Sequence, residues 1–265
     1  MPRPSGLQEA FALLTYLFLY TMAFGPATHA RQLEGRYTNS TLPVNYGMLL
    51  FPAFQALDVF GPLDALNILS WNHPMNLALI STTLDPVSTA PGMAAVNVAG
   101  SNFSQSVVPT HTLADAPPLD VLLVPGGLGT RAPDLNATIG FVADVFPSLQ
   151  YLITICTGAG LAARAGVLDG RNATTNKKSW AATTALRKQV NWIPEARWVV
   201  DEEEGEVKVW SSSGVSAGID ATLAWMGAVY GVETAKEVAD GMEYEMWTDS
   251  HFDPFAELYN LTQKA

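Results

Sequence analysis

Short apolar segments rich in β-prone residues alternate along this chain with segments whose apolar residues have helical spacing. Because parallel strands need long, usually helical, crossovers, this alternation predicts an α/β fold. We expect a three-layer sandwich, with a mostly parallel sheet and helices on both faces. The predicted strands are 46–51, 77–81, 87–89, 95–98, 120–127 (running into a glycine turn), 152–155, and a hairpin of 197–200 with 207–210. The predicted helices are 57–69, 139–149, 158–165, 180–187, 217–230 and 233–247.

Three of these strands lead into segments with chemically useful residues. The first leads into Asp58, another into Gly126 and Gly127, and a third into Cys156. The carboxyl ends of parallel strands lie along one edge of a sheet, and ligands bind there in folds of this class. We therefore expect the three segments to converge on one candidate site.

Cys156 is the one cysteine of the chain and is followed closely by Gly158, Ala159 and Gly160. The pattern is typical of a strand–turn–helix elbow, in which a strained backbone makes the side chain project outward. The helix N-terminus that follows the elbow favours a thiolate. A lone cysteine is otherwise more often a small buried apolar residue. The turn after Cys156 favours a nucleophile over a buried apolar residue at this position.

Asp58 is the candidate partner of this thiol, and its apolar neighbours predict a half-buried carboxyl. Burial and a nearby thiolate both raise the pKa of a carboxyl, which favours a neutral acid that can donate a proton. The sequence leaves open a second interpretation, in which Asp58 caps the helix that starts beside it. The backbone amides of Gly127 and Thr157 are the expected donors to negative charge that develops in a reaction.

Composition argues against several other classes of protein. The net charge of −11 argues against nucleic acid or an anionic membrane as a partner. The histidines are widely separated, so we predict no metal site, although two of them could still approach the thiol in space: His111 and His251. We also expect a small-molecule substrate and no cofactor.

Residues 1–30 have the features of a secretory signal peptide, with Arg3 before a short apolar segment and small residues up to Ala30. The apolar segment is shorter than the roughly 20 residues that cross a bilayer, so we expect no stable membrane span after cleavage. A retained signal anchor is the alternative. Residues 31–43 are polar and are predicted to form a linker. The protein is therefore predicted to be secreted.

Five Asn-X-Ser/Thr sequons agree with export. We predict that four of them carry glycans: Asn39, Asn102, Asn136 and Asn260. The fifth, at Asn172, lies in a segment that we expect to be partly buried, and we predict no glycan there. Because the chain has a single cysteine, it forms no intramolecular disulfide.

Several short motifs resemble the ThiJ/PfpI superfamily, the cysteine branch of the class I glutamine-amidotransferase-like fold. They are Val-Pro-Gly-Gly at 124–127, Ile-Cys-Thr-Gly at 155–158, Ala-Gly-Val-Leu-Asp-Gly at 165–170, Arg-Asn-Ala-Thr-Thr at 171–175 and the segment 213–220. The resemblance implies a flavodoxin-like domain at residues 44–250, a C-terminal tail at 251–265 and a homodimer. It implies a structural role for Asp220.

Within the superfamily the chain is most similar to the isonitrile hydratase branch, in which an early aspartate partners the elbow cysteine and threonine follows it. Asp58, Cys156 and Thr157 occupy those places. The resemblance implies a cofactor-free lyase with these three catalytic residues. The chain departs from its relatives at Asn176 and Lys177, where a histidine is common.

Two other classes of function stay open at this point. A glyoxalase or deglycase would act on reactive carbonyls, but such relatives usually have glutamate at the early acid and often histidine after the cysteine, where this chain has Asp58 and Thr157. A non-catalytic secreted protein could instead use Cys156 as a redox sensor through reversible oxidation of the sulfur.

Overall fold

A seven-stranded sheet forms the centre of the computed structural model, which describes residues 41–92, 94–202 and 208–261. All neighbouring strands are parallel except β10 and β11. In spatial order the strands are β10 (Trp198–Asp201), β11 (Lys208–Ser212), β7 (Tyr151–Thr154), β6 (Val121–Val124), β1 (Asn45–Leu49), β2 (Asn76–Ser81) and β5 (His111–Thr112).

Two groups of helices pack around this sheet, which confirms the α/β sandwich. One group is α1 (Ala56–Leu69), α5 (Ala217–Tyr230) and α6 (Val232–Gly241), and the other is α2 (Asn136–Val145), α3 (Gly158–Arg164) and α4 (Trp180–Thr184). A last helix, α7 (Pro254–Leu258), follows them. None of the helices in the described part of the chain is long and apolar enough to cross a bilayer.

The central strands β6 and β7 are completely buried. A parallel strand that is covered on both faces has no solvent side, so its sequence is a continuous apolar run instead of an alternating one. The runs Val-Leu-Leu-Val and Tyr-Leu-Ile-Thr show this pattern. These two strands carry the glycine turn and the cysteine elbow at their carboxyl ends.

The strand predicted at 95–98 is wrong. Strand β3 (Val87–Ser88) pairs instead with β4 (Ser106–Val107), and the residues around Asn97 form turns. The Asn97 side chain accepts the Ser101 amide and donates to the Ser101 carbonyl, both at 2.8 Å. A side chain that satisfies backbone groups locally competes with strand pairing, and this explains the difference.

The last long helix ends at Gly241 and not at residue 247. The chain then turns through Glu243, whose φ is +51°. The segment that follows is held by Asp220, which accepts hydrogen bonds from the Tyr244 hydroxyl (3.0 Å) and the Trp247 amide (2.9 Å). These bonds bring the chain back onto the domain and confirm the structural role expected for Asp220.

A cluster of buried charges lies under this C-terminal segment. The Arg197 guanidinium donates to Asp220 Oδ2 at 2.5 and 2.9 Å. Asp253, which caps helix α7, lies 3.9 Å from Arg197 and 4.0 Å from the Lys177 ammonium. The segment 251–261, which we expected to be part of a tail, is therefore anchored by ion pairs in its described residues.

The sequons of the described residues lie at the surface. Asn102, Asn136 and Asn260 are exposed, and Asn39 lies outside the described residues. Asn172 is also exposed, contrary to our expectation. It belongs to the short strand β8 (Asn172–Ala173), in which successive side chains point to opposite sides, so that Ala173 is buried and Asn172 is not.

The buried ion pair gives a first testable prediction. Replacing Asp220 by alanine leaves the Arg197 guanidinium buried without this partner, and such changes cost about 3–5 kcal/mol. We expect a matching fall in the free energy of unfolding, measured by urea denaturation. The control is Asp240→Ala, which breaks the exposed Lys236–Asp240 pair and should change little. Equal effects of the two substitutions would contradict the conclusion that the buried Arg197–Asp220 pair stabilises the fold.

Candidate active site

Cys156 lies at a tight elbow between β7 and α3. Its φ of +57° places it in the left-handed region, which residues other than glycine rarely adopt. The turn is close-packed, since a Cβ atom on Gly158 would lie 2.1 Å from the Val124 carbonyl oxygen. Glycine is therefore required at that position. The strained elbow that the sequence predicts is present.

Asp58 is a buried residue of helix α1 and has no exposed surface. The N-cap of that helix is Gln55, so the structure excludes the capping interpretation of Asp58. Its Oδ2 atom accepts a hydrogen bond from the Gly126 amide at 2.9 Å. Its other oxygen, Oδ1, is buried without a hydrogen-bond partner. The carboxyl lies near enough to Cys156 for each group to shift the pKa of the other. The acid and the thiol are therefore neighbours in one buried site.

Gly126 allows this approach because it has no side chain. A Cβ atom at that position would lie 2.5 Å from the Thr157 nitrogen and 2.9 Å from Asp58 Oδ2. The glycine turn after β6 thus lies between the aspartate of α1 and the elbow after β7. The convergence predicted from the ends of the three strands is what the structure shows.

Thr157 and Gly127 join the elbow to the glycine turn. The Gly127 amide, which we expected to stabilise negative charge in a reaction, donates to the Thr157 hydroxyl oxygen at 3.0 Å. The Thr130 hydroxyl lies 3.2 Å from the same oxygen. The side chain of Thr157 therefore positions the turn, while its backbone amide acts to lower the pKa of the Cys156 thiol.

The electrostatics of the pair differ from the sequence prediction in one respect. Burial raises the pKa of Asp58 to about 7, against the lowering effect of the Gly126 amide and the Cys156 thiol. Burial, followed by the Asp58 charge, also raises the pKa of Cys156 to about 12. The direction of this shift favours a protonated thiol at rest, whereas the position at a helix N-terminus led us to expect a thiolate.

Two residues near the sulfur were not identified as site residues from the sequence. The Val215 amide and the Asn176 side chain both act to lower the pKa of the thiol. Val215 has a φ of +42°, which is unusual for a β-branched residue and points to strain at the site. The signals available in the sequence were the segment 213–220, noted for the resemblance, and the departure at Asn176.

The two histidines that the sequence left open are bonded elsewhere. The His111 ring lies 2.9 Å from the Thr110 hydroxyl, and the His251 ring lies 3.2 Å from Ser250. Across the residues that the structure describes, no cluster of three or more His, Cys, Asp or Glu side chains could hold a metal ion. The site consists of a thiol, a carboxyl and the N–H groups around them.

Comparison with known proteins identifies the class of protein that has this fold and site. Residues 47–227 match the DJ-1/PfpI family. The chain is 31% identical over 204 residues to an isonitrile hydratase of Pseudomonas putida. The aligned residues cover 77% of this chain and 79% of that enzyme. The chain therefore belongs to the DJ-1/PfpI family, and the resemblance found in the sequence is confirmed.

Solved structures agree with this membership. A ThiJ/PfpI family protein from Pseudomonas syringae superposes with a TM-score of 0.63 at 26% identity, over 84% of this chain and 86% of that one. Drosophila melanogaster DJ-1beta superposes with a TM-score of 0.58 at 17% identity, over 76% of this chain and 98% of that one. The second comparison supports the fold alone.

The electrostatic coupling between Asp58 and Cys156 gives the second prediction. Iodoacetamide reacts with the thiolate that is already present at equilibrium, so its rate reports the thiol pKa and not proton transfer during a catalysed reaction. Asp58→Asn removes the negative charge that raises this pKa, so alkylation of Cys156 by iodoacetamide at pH 8 should become faster. The expected gain is about tenfold for each unit by which the pKa falls. Asp64→Asn, at an exposed position of the same helix, is the matched control. Slower alkylation of Asp58→Asn would refute the coupling.

Proposed function

We propose that the protein is an isonitrile hydratase-like lyase that uses Cys156 as nucleophile and Asp58 as its proton-transfer partner. The observation that carries the proposal is the placing of a fully buried carboxyl and the thiol on either side of the Gly126 turn. Burial also raises the pKa of Asp58 to about 7. An acid with a pKa near neutral pH can both accept and return a proton during one reaction cycle. The identity to the Pseudomonas putida enzyme supports the same function.

The proposed reaction follows from the protonation states of the pair. The Cys156 S–H bond breaks, its proton passes to the Asp58 carboxylate, and the sulfur attacks the terminal carbon of the isonitrile. Asp58 then returns the proton to that carbon, which gives a thioimidate. Water, activated by the carboxylate, adds its oxygen to the same carbon, and one of its protons passes to the nitrogen. The carbon–sulfur bond then breaks as the carbonyl forms, and the second water proton returns to the sulfur. The net reaction adds one water to the isonitrile and releases an N-substituted formamide.

The burial of the site favours a slender electrophile. Cys156 is 5% exposed and Thr157 is 7% exposed, while Asp58 is not exposed at all. The reactive carbon of an isonitrile is the end atom of a linear group, so it can reach a recessed sulfur without a wide opening. An internal peptide carbonyl carries substituents on both sides and fits such a recess less well.

The high pKa of the thiol argues against the redox-sensor alternative. Reactive, oxidisable cysteines are thiolates with a lowered pKa and good exposure. Cys156 has the opposite properties, because burial and the Asp58 charge raise its pKa. A neighbouring base that takes the proton only during the reaction is the arrangement of an activated nucleophile.

A panel of substrates tests the proposal. Purified protein should convert small alkyl and aryl isonitriles to the corresponding formamides, detected by mass spectrometry, and should not convert methylglyoxal to lactate. Cys156→Ala should abolish turnover, and Asp58→Asn should lower it by about 10²–10⁴-fold. Full activity of Cys156→Ala would rule out the mechanism. Turnover of methylglyoxal alone would favour the glyoxalase or deglycase alternative.

The pH dependence of turnover is the third prediction. The productive state has a protonated Cys156 and an ionised Asp58, whose pKa is about 7. The value of kcat/KM should therefore rise about tenfold per pH unit below pH 7 and become constant above it. The measurement is the initial rate from pH 5 to 9. A rate that continues to rise up to pH 9 would show that direct ionisation of the thiol controls the reaction instead.

We also propose that the protein is exported and N-glycosylated. The sequons at Asn102, Asn136 and Asn260 are exposed and support this proposal. After expression through a eukaryotic secretory pathway, each of Asn102→Gln, Asn136→Gln and Asn260→Gln should remove one glycan, measured as a mass shift on treatment with peptide N-glycosidase. Protein that stays in the cells without glycans would contradict the proposal. The homodimer stays a prediction.

A further inference from the structure

Asn176 is held beside the thiol by backbone contacts on both sides of Cys156. The Cys156 amide donates to the Ser213 carbonyl oxygen at 3.1 Å, and the Thr175 hydroxyl donates to the Cys156 carbonyl oxygen at 2.8 Å. Asn176 follows Thr175 directly, and its side chain acts to lower the pKa of the Cys156 thiol. The position of Asn176 is therefore fixed by the same elbow that presents the nucleophile.

The orientation of the Asn176 amide follows from its own contacts. Its Oδ1 atom accepts the Ser179 amide at 2.9 Å, which leaves Nδ2 as the group that can donate to the sulfur. Nδ2 packs against Gly214, where a Cβ atom would lie only 2.4 Å away. The missing side chain of Gly214 thus makes room for the nitrogen. One end of the amide is bonded, and the other is confined next to the thiol.

We propose that Asn176 is a further catalytic residue, whose Nδ2–H group donates to the Cys156 sulfur and stabilises the thiolate formed when the proton passes to Asp58. The amides of Thr157 and Val215 complete the set of donors. The inference rests on the proposed function and deepens it. It identifies the neutral N–H groups that stabilise the negative charge on the sulfur during the reaction. Such donors are most effective in a site from which water is excluded.

Stabilisation of the thiolate depends on neutral donors, because the charge that acts on the sulfur is negative. In the described part of the chain, the charge that acts on the thiol is that of Asp58, which opposes its ionisation. Lys177 follows Asn176, but its ammonium donates to the Thr174 hydroxyl (2.6 Å) and the Ala196 carbonyl (2.7 Å), and Asp253 is its ion partner. The Lys177 ammonium therefore pairs with Asp253 of the C-terminal segment and does not neutralise the charge of a thiolate at Cys156.

The experiment measures the reactivity of the thiol without any substrate. Because the chain has one cysteine, the rate of alkylation by iodoacetamide as a function of pH reports on Cys156 alone. Two variants remove the donor: Asn176→Leu keeps a similar size, and Asn176→Asp replaces the N–H with a carboxylate. The control is Lys178→Ala, at an exposed position of the same segment.

We expect the alkylation rate at pH 8 to fall at least about tenfold in Asn176→Asp, because a like charge raises a thiol pKa by a unit or more, and to fall less in Asn176→Leu. The pH profile should shift upward in both variants, while Lys178→Ala keeps the wild-type profile. Wild-type profiles in both Asn176 variants would overturn the proposal. A purely structural role would lower the melting temperature without moving the pH profile.

The result is separable from the test of the hydratase function. Wild-type protein that turns over no isonitrile would count against the proposed function, and a shifted alkylation profile in the Asn176 variants would still show that this side chain stabilises the thiolate. Active wild-type protein with unshifted profiles would count against the role of Asn176 alone.

Discussion

The site depends on a carboxyl group that the fold removes completely from water. Asp58 is fully buried, and one of its oxygens accepts the Gly126 amide. Ionised carboxylates are costly to bury, so the group shifts its pKa towards the neutral form. The same burial brings the carboxyl against the sulfur of Cys156. A helix, a glycine turn and an elbow therefore have to meet within a few ångströms for the site to exist.

This crowding explains the unusual backbone around Cys156. Cys156 and Val215 both have positive φ angles, and Gly126 and Gly158 leave no space for a methyl group. Strained conformations of this kind persist only where the surrounding structure enforces them, and they concentrate at functional sites. Here the enforcing structure is the buried pair of strands β6 and β7. The strained backbone at the carboxyl edge of the sheet therefore depends on the buried apolar strands that hold it in place.

The sequence predicted the architecture and the central pair of the site because both follow from short local patterns. The continuous apolar runs of β6 and β7 and the small residues after Cys156 are visible without any knowledge of the fold. Strand ends then placed Asp58 beside Cys156. The ionisation state of the thiol was not predictable in this way, since burial by the whole domain outweighs the effect of the helix terminus.

Other features required contacts between distant parts of the chain. The segments of Asn176 and Val215 lie beside Cys156 because its backbone bonds to Thr175 and Ser213. The turn at Asn97 and the early end of helix α6 depend on individual side-chain hydrogen bonds, those of Asn97 with Ser101 and of Asp220 with Trp247. No periodic pattern of apolar residues records such bonds.

The ion pair of Asp253 and Lys177 links helix α7 to the segment that carries Asn176. The two charged groups lie 4.0 Å apart, both side chains are buried, and Lys177 directly follows Asn176. Loss of Asp253 would leave the Lys177 ammonium buried without this partner, which is costly. The folding of helix α7 and the position of Asn176 are therefore energetically linked.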